Sequence, residues 1–170
     1  MNHEEERSTT RDTKDTKAKT VRRISLCVLG VLCGGFAVTS HLAVAADAVD
    51  SIVNHAVAIQ LSLANDKLDG VAQNASGIAT DAASLGKAGE KIVAGAMALQ
   101  KAKKIAEARD AFGKMSDALV AYLDGAKRQP GGGVRVAFCP MAVKPWLQKD
   151  GAIQNPYYGS QMLGCGSFRK

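Results

Sequence analysis

The chain has 170 residues, 46% hydrophobic and 22% charged, which is enough for one packed domain and too little for a two-domain enzyme or a multi-span transporter. Aromatics make up only 5%, so the core cannot be rich in rings. The net charge of +6 invites a nucleic-acid reading, but the basic residues are strung along helical stretches instead of clustering. The densest group, Lys101, Lys103 and Lys104, reads as a solvated helix face with too few aromatics nearby to stack bases, so no nucleic-acid partner is expected.

Residues 1–45 read as an export signal with a long polar front. Arg22-Arg23 precede the apolar run Ile24 to Val38, which suits a signal core and is short for a membrane span. Small residues at Ala43 and Ala45 predict cleavage after Ala45, giving a periplasmic or cell-envelope protein with no membrane attachment once cleaved. An uncleaved N-terminal anchor is the alternative. Leu26 and Leu32 stand where a small residue is wanted before Cys27 and Cys33, so lipidation is not expected.

Residues 46–128 predict a helical bundle. Alanine, the best helix former, supplies about a quarter of this stretch, and all four prolines lie beyond it. Val49, Ile52, Val53, Ala56, Ile59 and Leu63 recur at helical spacing. A break at Asn65-Asp66 follows, with Asp66 read as the N-cap of a second helix carrying Leu68, Val71, Ala75, Ile78, Ala82 and Leu85. Gly86 to Gly89 reads as a turn. A third helix holds Ile92, Val93, Ala96 and Leu99, and a last one runs from Ile105 through Phe112, Met115 and Leu119 to Gly125. The fold class is thus mainly α, an up-and-down bundle of about four helices with a short irregular or β C-terminal motif. Met97 and Met115 are assigned to the core, and His55 to a partly exposed or hydrogen-bonded position.

The texture changes at residues 129–170, expected to pack on the bundle. Pro130 and Gly131-Gly132-Gly133 read as a linker, and Val134 to Phe138 as a short strand. Five of the eight aromatics and the two cysteines beyond the signal, Cys139 and Cys165, lie here. Each cysteine has a methionine close by, Met141 and Met162. Thiolate and thioether are soft donors that select Cu(I) and its relatives. If a turn at Asn155-Pro156 folds the tail back, four sulfurs can converge, with Pro140 and the Asn155–Gly159 turn setting geometry and Trp146, Tyr157 and Tyr158 excluding water. The competing expectation is a Cys139–Cys165 disulfide, worth roughly 3.5 kcal/mol for so long a loop, with the methionines as packing residues.

The tail resembles an uncharacterised exported domain family that also occurs fused to periplasmic adaptor subunits of copper/silver efflux pumps. The likeness rests on Phe138-Cys139-Pro140-Met141, Trp146-Leu147, Asn155-Pro156-Tyr157-Tyr158-Gly159, Met162-Leu163 and Cys165-Gly166, with further similarity in Leu61 to Asp66 and Arg109 to Phe112. It implies copper or heavy-metal handling in the envelope, with an efflux adaptor or another envelope protein as partner. The gap from Met141 to Trp146 is shorter here than the family pattern.

The expected function is therefore a soft-metal, Cu(I)-binding protein with Cys139, Met141, Met162 and Cys165 as ligands. The alternative is a structural or protein-interaction module locked by a disulfide. No enzyme is expected: the sequence carries no paired carboxylates in apolar surroundings, no HExxH, no phosphate loop and no Cys-x-x-Cys.

Overall fold

A computed structural model describes residues 38–170, with side chains described from Asp47 onward. The polar front, the apolar signal core, Cys27 and Cys33 lie outside the described residues. The cleavage site expected at Ala43 to Ala45 falls in the first part of helix α1, Val38–Ala64. No helix among the described residues is long and apolar enough to cross a membrane.

Helices α2 (Val71–Ala83), α3 (Glu90–Lys101) and α4 (Ile105–Gly125) follow α1, with a 3-10 turn at Gly86–Ala88. Each packs against its neighbour in chain order. The apolar periods read from the sequence form the core: Ile52, Ile59, Ile78, Ile92, Leu99, Phe112, Met115 and Leu119 are all buried. Alanine and glycine let the helices approach closely. A Cβ added at Gly95 of α3 would stand 2.7 Å from the Cα of Met115 on α4. Met115 is a core residue as expected, whereas Met97 is 48% exposed, because it lies on the side of α3 opposite the Gly95–Leu99 contact face.

Asp66 does not cap α2. It adopts the left-handed conformation, φ 57°, that closes α1. Its N–H bonds the carbonyl of Leu63 and the N–H of Lys67 bonds that of Ser62, the paired bonds of a Schellman turn. Helix α2 starts later, at Val71, capped by Gly70 with no side-chain bond, which leaves Leu68 in the turn. Lys127, φ 50°, ends α4 in the same way, through Lys127 N–H to Asp124 and Arg128 N–H to Leu123. The lysine-rich segment breaks the chain between α3 and α4: Ala102 is extended, and the Lys103 N–H is taken up by the Glu107 carboxylate. His55 Nδ1–H donates to Asn74 Oδ1 at 2.9 Å, in line with the expectation of a hydrogen-bonded histidine.

The tail forms a three-stranded antiparallel sheet in the order β2-β1-β3, from β1 (Val134–Cys139), β2 (Lys144–Lys149) and β3 (Ser167–Phe168). Gly131, Gly132 and Gly133 all take positive φ, a consecutive left-handed run that side-chain-bearing residues resist, so the expected linker is a specific turn into β1. Strand β2 was not legible, because Pro145 argues against a strand. It is admitted because β2 lies at the sheet edge, where a missing N–H leaves no ladder partner unpaired. Strand β2 packs on both α4 and α1, so the sheet closes the side of the bundle that the helices leave open.

Candidate metal centre

Strand pairing explains why the two cysteines meet. Phe138 of β1 faces Ser167 of β3, so Cys139, one residue further along β1, arrives beside the backbone just before β3, where Cys165 lies. The two Sγ atoms are 3.8 Å apart and not bonded to each other. Cys139 is fully buried and Cys165 is partly exposed, so the pair has one closed and one open side.

A backbone amide engages the buried sulfur. Cys139-Pro140-Met141-Ala142 turns back so that the Ala142 N–H donates to Cys139 Sγ at 3.3 Å. The Met141 backbone amide favours the Cys165 thiolate. Partial burial, and after it the adjacent Cys139 sulfur, push the Cys165 thiol above its ordinary range and outweigh that amide. Two like charges this close disfavour joint ionisation unless a cation sits between them.

The methionines are placed differently from the expectation of four converging sulfurs. Met141 is 62% exposed and Met162 38% exposed, so neither is part of the buried pair. Met162 is nonetheless tied to it through its carbonyl, which accepts the Cys165 N–H at 3.0 Å, and Met141 stands two residues after Cys139.

The aromatic and turn residues hold this corner. Trp146 is buried, donates its Nε1–H to Gln148 Oε1 at 3.0 Å, and stacks edge-on against Tyr157, which in turn meets Phe112 of α4. The Tyr157 hydroxyl donates to the Pro145 carbonyl at 2.5 Å, and burial pushes its ionisation far up, so it stays a neutral donor. Tyr158 is half-buried. Asn155 is fully buried: its Nδ2 donates to the Cys165 carbonyl at 2.7 Å and its Oδ1 accepts from the Tyr157 N–H at 2.8 Å. Its backbone N–H bonds the Leu163 carbonyl, so it grips the Cys165 loop twice. Gly166, φ 136°, lies against the Trp146 ring, and Gly159, φ 56°, lies against Asp66 and Arg109.

Sequence reasoning missed Arg109, Asp66, Ser160 and Gln148. Arg109 of α4 donates Nε–H to the Pro156 carbonyl at 2.9 Å, and Nη2–H to the Leu63 carbonyl at 3.0 Å and to Asp66 Oδ1 at 2.5 Å. The other Asp66 oxygen accepts the Ser160 N–H at 3.0 Å. The only available signal was the pair of stretches, Leu61 to Asp66 and Arg109 to Phe112, already singled out by the family resemblance.

Among the described residues, no three of histidine, cysteine, aspartate and glutamate come together as a metal-ligand group. No protein-family model, no curated protein and no solved structure matches this chain. The family likeness rests on the motif residues alone.

Proposed function

We propose that this chain is an exported protein that captures a soft metal ion, Cu(I), on the thiolates of Cys139 and Cys165. The observation that carries the reading is the pair of unbonded sulfurs 3.8 Å apart, with the Ala142 N–H donating to the buried Cys139 sulfur. With metal–sulfur bonds of about 2.3 Å, that spacing gives an S–metal–S angle near 110°, whereas a straight arrangement needs about 4.6 Å. A bent dithiolate leaves room for a third donor on the open side. The methionines nearest the two cysteines in the chain, Met141 and Met162, carry thioethers, and a thioether discriminates for Cu(I) over metals that prefer imidazole or carboxylate. The likeness of the tail to domains fused to copper/silver efflux adaptors supports an envelope location and an adaptor or other envelope protein as partner.

Binding on thiolates releases protons, and the ion is cargo. The test is a Cu(I) titration of the reduced protein against a chromogenic chelator. Stoichiometric competition that disappears in Cys139→Ser/Cys165→Ser supports the reading, and unchanged affinity in that double variant removes it.

A second reading draws on the same pair. Oxidation by the disulfide of an envelope thiol oxidoreductase would join Cys139 to Cys165 and reduce the oxidoreductase to its dithiol. This would clasp β1 to the segment before β3 and make the tail a locked cap on an interaction module. A mass two hydrogens lower in protein isolated from the envelope, with no metal, would favour it.

A further inference from the structure

Cys139 and Cys165 are held by very different means. Cys139 ends a strand paired on both sides and is buried. Cys165 lies in an irregular segment between the 3-10 turn Gly159–Gln161 and the two-residue strand β3. Its position relative to Cys139 therefore depends on what grips that segment. The principal grip is Asn155, and the residue after Asn155 is the one whose carbonyl Arg109 holds.

We propose that Arg109 and Asp66 form a positioning latch that sets the spacing of the Cys139–Cys165 pair from the corner between α1 and α2. The guanidinium is planar and makes three bonds in a fixed fork: to the end of α1 at Leu63, to Asp66, and to the tail at Pro156. Asp66 completes the latch by accepting the Ser160 N–H at the far end of the same tail turn. The left-handed backbone of Asp66 is costly for a residue with a side chain, and it aims the carboxylate at both partners. Gly159 leaves the space that the two side chains meet in, since a Cβ there would collide with both. The tail turn from 155 to 160 is thus fastened at both ends to the bundle, and Asn155 passes that placement to the Cys165 carbonyl. Ligand sites lose affinity when the residues behind the ligands are changed, through small displacements of the ligands themselves.

The inference rests on reading the cysteine pair as the working site, and its test has a metal-free arm. In the full chain, the effective concentration of the two thiols is measured by equilibrating the Cys139–Cys165 pair against glutathione redox buffers. Arg109→Lys retains the charge and loses the fork. Asp66→Asn retains the shape and loses the ion pair. Lys114→Gln, which breaks the exposed Lys114–Asp110 pair on α4, serves as control. The expected result is a tenfold or greater fall in effective concentration for Arg109→Lys and Asp66→Asn, with the control unchanged and circular dichroism showing a folded bundle. A merely stabilising role would lower the unfolding midpoint and leave thiol coupling in the folded protein untouched. A change of less than threefold in a folded latch variant overturns the proposal. If Arg109→Lys does not fold, Asp66→Asn decides. Chelator competition with Cu(I) is run in parallel: thiol coupling that falls while even the wild type fails to take the metal upholds the latch and sinks the metal reading.

Discussion

The edge of the Trp146 ring lies directly against Gly166, the residue after Cys165: a Cβ at Gly166 would stand 2.6 Å from Trp146 Cη2 and 2.8 Å from the Phe138 carbonyl oxygen. The buried indole therefore fixes the backbone that carries one of the two sulfurs. Gly166 also has φ 136°, which residues with side chains rarely adopt. Gly166→Ala adds backbone strain of about 1–3 kcal/mol to an overpacking cost of similar size. The expected loss is about 3 kcal/mol, read from the urea midpoint. Trp146 is the only tryptophan and reports the transition through its fluorescence.

Asn155 is buried and makes two side-chain bonds to backbone groups. Asn155→Ala leaves the Cys165 carbonyl and the Tyr157 N–H without these partners, at about 1–3 kcal/mol for each group that stays buried. A total loss of about 2–6 kcal/mol is expected by chemical denaturation. Iodoacetamide should alkylate Cys165 faster than in the wild type, because the loop that holds it loosens.

Gly95→Ala sets two effects against each other. Alanine improves helix propensity by about 1 kcal/mol. Its methyl would meet the Met115 backbone at 2.7 Å, and a backbone atom cannot swing aside. The separation of α3 and α4 must then grow, at about 1–3 kcal/mol. Net destabilisation of about 1 kcal/mol is expected from thermal or urea unfolding, and a stabilised variant would refute the close helix approach.

The hydrogen bond from the Ser160 hydroxyl, then that from the Ser160 N–H, and after them Arg109, hold the Asp66 carboxyl at about 2, below its ordinary 3.8. The folded state therefore binds this proton less readily than the unfolded state. The contribution of Asp66 to stability is present above about pH 4 and is lost as pH falls through about 2. The stability difference between wild type and Asp66→Asn should shrink over that window and be constant from pH 5 to 7, measured by urea titrations at each pH.

Burial and the neighbouring sulfur raise the Cys165 thiol, so at neutral pH the metal must displace its proton. Apparent Cu(I) affinity should then rise with pH near neutrality by about tenfold per pH unit or more, because each proton displaced contributes one factor of ten. Competition titrations at pH 6, 7 and 8, corrected for the chelator's own protonation, check the slope. A flat profile would show that the thiols are not the ligands.

The helices were legible because alanine content and apolar period agree over Val49 to Leu123, and the core residues read from that period are buried. The meeting of Cys139 and Cys165 was legible from the tail's turn residues. Three things were not. Strand β2 was hidden by Pro145, whose tolerance depends on an edge position that only the assembled sheet defines. The role of Asp66 was misread because a residue with good N-cap chemistry can also close a helix when a distant arginine engages its carboxylate, and Arg109 is remote in the chain. The methionines were expected to face inward with the cysteines, but residue type fixes softness and not orientation, and the turn after Pro140 leaves Met141 in solvent.

Because β2 forms the wall between α1 and α4, the bundle is unsealed until residues 144–149 have been synthesised. A nascent chain lacking them holds the sequence of all four helices and lacks Trp146 and Leu147, which complete the core. Final folding is thus deferred until the tail emerges, and prematurely terminated chains carry an apolar cleft that marks them for chaperones and proteases.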